Sequence, residues 1–268
     1  MARPATSVDG IDLHIEGVGA ETILMIHGWP DTHRLWDSLT DALKDRYRCV
    51  RFDLPGYDLA KPPRAIGHRD ITTLINRIVM EVSPSMPVTL LVHDWGCVFG
   101  YEYAMQNPLH VKRLIGVDIG DHNSGAWLHS LTLSAKLGAF VYQYWLAWAW
   151  RIGPQFPALA NRMTRWMAHA IGNRNLPESI AWPMNYPYAM NWMKALGSFA
   201  GLAKIRPQWP TLYIYGKRKP FMFHSEKWLQ TVAATSGGKT VGMESGHWMM
   251  VRKPDEFNKV VREWLDSV

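Results

Sequence analysis

A chain of 268 residues can enclose one large hydrophobic core, or one core with a modest inserted segment, and its 47% hydrophobic and 19% charged residues are ordinary for a soluble globular protein. The formal net charge of +6 does not mark a nucleic-acid binder. Lys and Arg are scattered singly, and the densest group, Lys217-Arg218-Lys219, is far too short for a basic tail.

The first residues, Met1 to Ser7, lack an apolar stretch of the kind that heads a secretory signal. Residues 11–15 alternate like a strand, and 23–26 form a short buried run that stops at His27-Gly28. Residues 32–43 have helical periodicity, and 47–54 read as a strand ending at Pro55-Gly56. A helix is expected at 71–82, a strand at 88–92 ending in His93-Asp94, a helix at 98–105 stopped by Asn107-Pro108, and a strand at 113–117. Strands alternating with helices imply a parallel sheet covered on both faces.

That alternation breaks after about residue 122. Residues 123–205 are rich in Trp, Tyr, Met and Ala at helical spacing, with no clear strand. They read either as a helical cap inserted in an α/β core or as further core helices. Their length exceeds one normal crossover and favours the cap. The apolar run nearest to a membrane span, 137–150, is closed by Arg151, Gly153 and Pro154 and falls short of the ~20 residues a span needs. A strand resumes at 211–215, followed by a helix at about 225–235, a strand near 239–243 and an amphipathic helix at about 255–265. The expected division is a core of 1–122 and 206–268 with a cap of 123–205. Cys49 and Cys97 lie in apolar surroundings and read as buried, reduced thiols, which suits the cytoplasm.

The sharpest local signal is Leu90-Leu91-Val92-His93-Asp94-Trp95-Gly96-Cys97. An apolar strand runs into a reactive side chain, then small residues, then a helix, which is the form of a nucleophile elbow. The helix N-terminus offers unpaired N–H groups and partial positive charge, so a carboxylate there should stay ionised. Taken alone, Asp94 could equally be a helix cap. Two further segments favour chemistry. In Met25-Ile26-His27-Gly28-Trp29-Pro30, the glycine admits a close backbone approach, and the N–H groups of Trp29 and Trp95 could form an anion pocket. In Glu244-Ser245-Gly246-His247-Trp248, a histidine after a small-residue turn is placed as a general base.

The order of nucleophile, acid and histidine, with these motifs in place, resembles the α/β-hydrolases over nearly the whole chain. The His93-Asp94-Trp95-Gly96 segment is similar to the branch of epoxide hydrolases and haloalkane dehalogenases, where esterases would carry Ser at position 94. The resemblance implies a two-step reaction without metal or cofactor: Asp94 attacks an electrophilic carbon, and His247 activates water to hydrolyse the ester. The position where many members carry the acid, after the strand that follows the cap, holds Lys219 in Tyr215-Gly216-Lys217-Arg218-Lys219. The other family position, in Gly116-Val117-Asp118-Ile119-Gly120-Asp121, makes Asp118 the expected acid and Asp121 the second choice.

The resemblance also bears on the leaving group. Phe140-Val141-Tyr142-Gln143-Tyr144 looks like the first tyrosine segment of epoxide hydrolases. Asn185-Tyr186-Pro187-Tyr188-Ala189-Met190-Asn191-Trp192 looks like the second, with Tyr186 as the match and Tyr188 as an alternative register. A dehalogenase would need N–H donors around a halide, for which Trp95 and the Trp29 indole stand in position. The aromatic residues would also serve simply to pack the cap. The expected activity is epoxide hydrolysis on a small to medium apolar substrate with water. Haloalkane dehalogenation or ligand binding without catalysis are the alternatives. An exposed apolar cap would favour a homodimer.

Overall fold

The computed structural model describes residues 6–199 and 201–268. Eight strands form one sheet: β1 (Thr6–Val8), β2 (Ile11–Glu16), β3 (Thr22–Ile26), β4 (Arg48–Phe52), β5 (Val88–His93), β6 (Val111–Val117), β7 (Thr211–Gly216) and β8 (Lys239–Met243). Their spatial order is β1-β2-β4-β3-β5-β6-β7-β8. β1, β2 and β4 pair antiparallel, and every pairing from β4 to β8 is parallel. The expected α/β class and mostly parallel sheet are what the molecule has.

The helices are α1 (Asp37–Leu43), α2 (His68–Val82), α3 (Trp95–Gln106), α4 (Gly125–Ser130), α5 (Leu133–Ile152), α6 (Pro157–Ala170), α7 (Tyr186–Met193), α8 (Glu226–Ala234), α9 (Met249–Arg252) and α10 (Pro254–Ser267). The periodic stretch at 32–43 divides into a 3-10 turn (His33–Trp36) and α1, with the Thr32 side chain capping the turn. β1 was not anticipated, because a three-residue strand has too little pattern to read.

Side-chain alternation sorts the central strands into two cores. Leu24, Ile26, Leu90, Val92 and Leu114 pack with Ile71, Ile75, Ile78 and Phe99 of α2 and α3. Ile23, Met25, Leu91, Ile115, Leu212 and Ile214 pack on the other face with Leu39, Leu43, Phe257, Val261 and Trp264 of α1 and α10. All six residues of β5 are buried. Each fully buried aliphatic side chain there contributes roughly 1.5–3 kcal/mol, so the strand that leads to Asp94 is among the most firmly held. Cys49 and Cys97 are buried and unbridged, and burial pushes both thiols up to about 12.

Between β6 and β7 the described residues contain α4 to α7 and 3-10 turns but no strand. α5 packs on both α6 and α7. These helices stand over the carboxyl ends of the parallel strands, the edge at which open α/β sheets place ligands. Among the described residues, no helix is long and apolar enough to cross a membrane.

Candidate active site

Asp94 sits between β5 and α3 with φ 53° and ψ −124°. A non-glycine residue in this region is strained and persists only where its surroundings over-determine it. Two glycines make the turn possible. A Cβ on Gly28 would lie 2.4 Å from Asp94 Cβ, and a Cβ on Gly96 would lie 2.4 Å from the Ile26 carbonyl. The elbow and the His27-Gly28 loop are therefore in backbone contact, and the Trp29 N–H donates to Asp94 Oδ1 at 2.7 Å.

His247 lies in the loop between β8 and α9. Its Nε2 is 3.5 Å from Asp94 Oδ2, and its Nδ1 is 2.5 Å from Asp118 Oδ2. Asp118 follows β6 at φ 69°, a second strained carboxylate at a strand end. Its Oδ1 accepts from the Gly216 N–H at 2.9 Å and from Lys219 Nζ at 2.5 Å. The sequence marked position 219 as a missing acid. In the structure it supplies a buried cation to Asp118. The two residues are 101 apart in the chain, and no local pattern announces such a pairing. Asp121, the second choice, does not reach His247. It accepts from the Ser225 N–H and from the hydroxyls of Ser124 and Ser225.

These contacts set the charges. Burial pushes the Asp94 carboxyl up, but His247, His93 and the Trp95 N–H outweigh it and hold Asp94 below its ordinary value. Burial likewise opposes ionisation of Asp118, and the Lys219 charge and His247 overcome it, leaving Asp118 well below the carboxylate range. Burial alone would lower His247, yet the hydrogen bonds and charges of Asp118 and Asp94 hold it up at about 9. The resting site is thus an ionised Asp94 beside a protonated His247. His93, whose ring centroid is 4.4 Å from that of His247, is kept neutral by burial and by the His247 charge, with its pKa lowered to about 3.

Two cavities, of about 620 and 570 Å³, meet at Asp94. Both are lined by Tyr142, Tyr188, Phe221 and Phe223, and only the second by His247 and Lys219. Tyr142 on α5 accepts a hydrogen bond from Gln143 Nε2 at 2.9 Å, which leaves its own proton free to donate. Tyr188 on α7 packs edge-on against Trp29, Trp95 and Tyr142, with ring centroids 5.5, 5.2 and 6.1 Å apart. Burial raises both phenols, so both are neutral donors.

Tyr186 does not share this lining. It is buried against Tyr57, and its hydroxyl has no partner among the described residues. Positions two apart on a helix point about 200° apart, so α7 can turn only one of the two tyrosines to the cavity. Tyr188, the alternative register, is the one beside Tyr142. The Trp29 indole is also placed otherwise than a halide site requires. Its Nε1 donates to Asn185 Oδ1 at 2.7 Å, so only its backbone N–H faces Asp94. Trp95 lines the larger cavity next to Asp94. Among the described residues no group of three His, Cys, Asp or Glu side chains could hold a metal ion.

A mostly parallel eight-stranded sheet, with a carboxylate on a strained turn after a central strand and a histidine after the last strand, is an α/β-hydrolase architecture. Residues 21–254 match the family described as alpha/beta hydrolase fold, and the chain belongs to that family. It is 34% identical over 109 residues to the probable oxidoreductase EphD of Mycobacterium tuberculosis, covering 38% of this chain and 18% of that one. It is 35% identical over 123 residues to a cis-3-alkyl-4-alkyloxetan-2-one decarboxylase of Xanthomonas campestris, covering 42% of this chain and 40% of the other. The chain thus spans well under half the length of both curated relatives. The fold is shared nearly end to end with an epoxide hydrolase of Bacillus megaterium, at a TM-score of 0.68 and 22% identity over 98% of this chain and 99% of that one.

Proposed function

We propose that this protein is a hydrolase that opens epoxides to diols through a covalent ester on Asp94. The observation that carries the reading is the set of groups around one carboxylate. An ionised Asp94 has His247 Nε2 at 3.5 Å and two neutral phenols, Tyr142 and Tyr188, in the lining of the cavities that meet on it.

In the first step Asp94 attacks a ring carbon, the carbon–oxygen bond breaks, and Tyr142 or Tyr188 gives its proton to the departing alkoxide. Esterification removes the Asp94 charge, which is one of the groups holding His247 protonated. His247 becomes less basic as a result and gives up its proton, which returns to the tyrosinate left by the first step; the neutral imidazole then takes a proton from water. The resulting hydroxide cleaves the ester, releasing the diol and restoring Asp94. Asp118 orients His247 and stabilises its charge throughout. The helices α4 to α7 act as a cap that closes over the reacting carbon, and the apolar lining (Val98, Leu131, Phe140, Phe223) suits a small to medium apolar substrate.

The decarboxylase relative suggests a second electrophile of the same kind, since an oxetan-2-one is also a strained oxygen-containing ring. The halide reading has less support, because the Trp29 indole N–H is already bound to Asn185.

The test uses His247→Gln, which should form the ester but not hydrolyse it. The variant is incubated separately with an aromatic epoxide, a dialkyl oxetan-2-one and a bromoalkane, and peptide masses are taken. An adduct on the Asp94 peptide equal to the whole epoxide is the expected result. An adduct with the lactone alone or an alkyl adduct with the bromoalkane alone would replace the epoxide with that electrophile. No adduct with any of the three would overturn nucleophilic catalysis by Asp94 and leave a ligand-binding protein.

A further inference from the structure

The inserted helices are apolar on the side that faces away from the sheet as well as on the side that faces it. On α5, Leu146, Ala147 and Ala149 are buried, whereas Leu133, Leu137, Val141, Trp145 and Trp148 are exposed, Leu133 by 83% and Leu137 by 60%. Their spacing of four, four, four and three residues keeps these five on one helical face. The stripe continues onto the neighbouring helices. Trp145 meets Trp166 of α6 at a ring distance of 5.3 Å, and Phe140 meets Trp192 of α7 at 4.9 Å. Trp166 itself is 58% exposed. A contiguous apolar surface across three helices is larger than scattered exposed residues would produce, and it calls for something to cover it.

The charge around it says what that is. Of the 29 Lys and Arg residues, seven lie within 123–205; of the 23 Asp and Glu residues, only Glu178 does. The rest of the chain is left with 22 of each, so the whole surplus of +6 belongs to this segment, with Lys136, Arg151, Arg162 and Arg165 on α5 and α6 and the other three cations in its connecting turns. Lys136, Arg151 and Arg162 are exposed on α5, at its end and on α6. A second copy docking through the same face would set that positive surplus against itself. Indole rings and aliphatic side chains interleaved with Arg and Lys, and nearly free of acid, match the boundary between anionic headgroups and acyl chains.

We infer that the outer face of α5 and α6 docks on an anionic lipid surface. Phe140 and Trp192, at the edge of this surface, also line the larger cavity that reaches Asp94. An apolar molecule dissolved in the bilayer would therefore have a continuous path to the carboxylate. The docking does not depend on which electrophile Asp94 attacks.

The test is co-sedimentation of the full chain with phosphatidylcholine vesicles, with and without phosphatidylglycerol. The protein should pellet with the phosphatidylglycerol vesicles, less so as salt is raised, and scarcely with phosphatidylcholine alone. The double variant Leu137→Ser/Trp148→Ser should bind about tenfold more weakly, while Leu109→Ser, a change at a still more exposed apolar residue on the core, should bind as the parent does; circular dichroism checks that both are folded. Failure of the parent to bind phosphatidylglycerol vesicles would overturn the inference. So would binding that the double variant leaves intact, or a stable dimer in solution that the same variant dissociates.

Discussion

The strand-end loops and the inserted helices hold their reactive groups by different physics. Asp94 and Asp118 both sit at positive φ, and Asp94 is pinned by a glycine contact that leaves no room for a methyl group. Their positions follow from backbone, and the backbone follows from the buried strands behind them. Tyr142 and Tyr188 stand on regular helices, with rotamers set by aromatic neighbours rather than by strain. The first region is held by its backbone and fixes Asp94, Asp118 and His247, the proposed nucleophile, acid and base. The second can move or exchange side chains without disturbing the sheet, so it fits the role of adjusting proton donation and substrate choice.

Breaking the rigid half should cost most. Asp94→Ala is expected to lower turnover by about four orders of magnitude or more while leaving the protein folded, because alanine keeps the Cβ and the backbone geometry of the turn, and a buried carboxylate whose desolvation is costly is removed. Wild-type activity in a folded Asp94→Ala protein would end the comparison. Asp118→Asn should follow. Loss of the orienting charge should slow ester hydrolysis by about 10²–10⁴-fold in single turnover, with ester formation less affected. Asp121→Asn should change the rate little but cost about 1–3 kcal/mol of stability through its Ser225 and Ser124 bonds. The reverse ranking of the two rates would reassign the acid.

The same contrast explains what could be read from the chain alone. The elbow is a contiguous pattern, Leu90 to Cys97, and the alternating apolar runs that carry it are short-range signals, so the sheet and the positions of Asp94, Asp118 and His247 at strand ends were legible. The contacts that finish the site join residues far apart. Lys219 meets Asp118 across 101 positions, and the Trp29 indole meets Asn185 across 156. The choice between Tyr186 and Tyr188 depends on the rotation of α7 about its axis, which Asn185-Tyr186-Pro187-Tyr188 does not encode by itself. The outer stripe of α5 was hidden for a related reason: a helix apolar nearly all round reads as buried, and only the packing shows which side has no neighbour.

In the helical half, Tyr188→Phe should reduce turnover of an epoxide by about 10²-fold with little change in KM, and Tyr142→Phe comparably. Tyr186→Phe should leave turnover within about twofold. Its hydroxyl is buried without a partner among the described residues, so removing it should stabilise the fold by roughly 1 kcal/mol, seen as a higher midpoint in calorimetry. If Tyr186→Phe proved the damaging change, α7 would have to present its other face to the substrate.

A smaller loss than those at Asp94, Asp118 and Tyr188 is the one that best probes the seam between the halves, where Lys219 joins Asp118. Lys219 sets a positive charge against the carboxylate that keeps His247 protonated, so Lys219→Met should raise His247 further. The pH at which ester hydrolysis reaches half its plateau should then move up by about one unit, a roughly tenfold loss of rate on the acid side, while Lys219→Arg keeps the parent profile. Stability should respond with a fixed sign. His247 is raised from its ordinary 6.5 to about 9 in the folded protein, so its contribution is complete below about 6.5 and is lost as pH climbs through 9. In Lys219→Met that loss should come at higher pH. An unchanged hydrolysis profile in a folded Lys219→Met protein would make the lysine a packing element beside Phe223, whose ring it approaches at 5.0 Å, and would leave Asp118 to set the basicity of His247 alone.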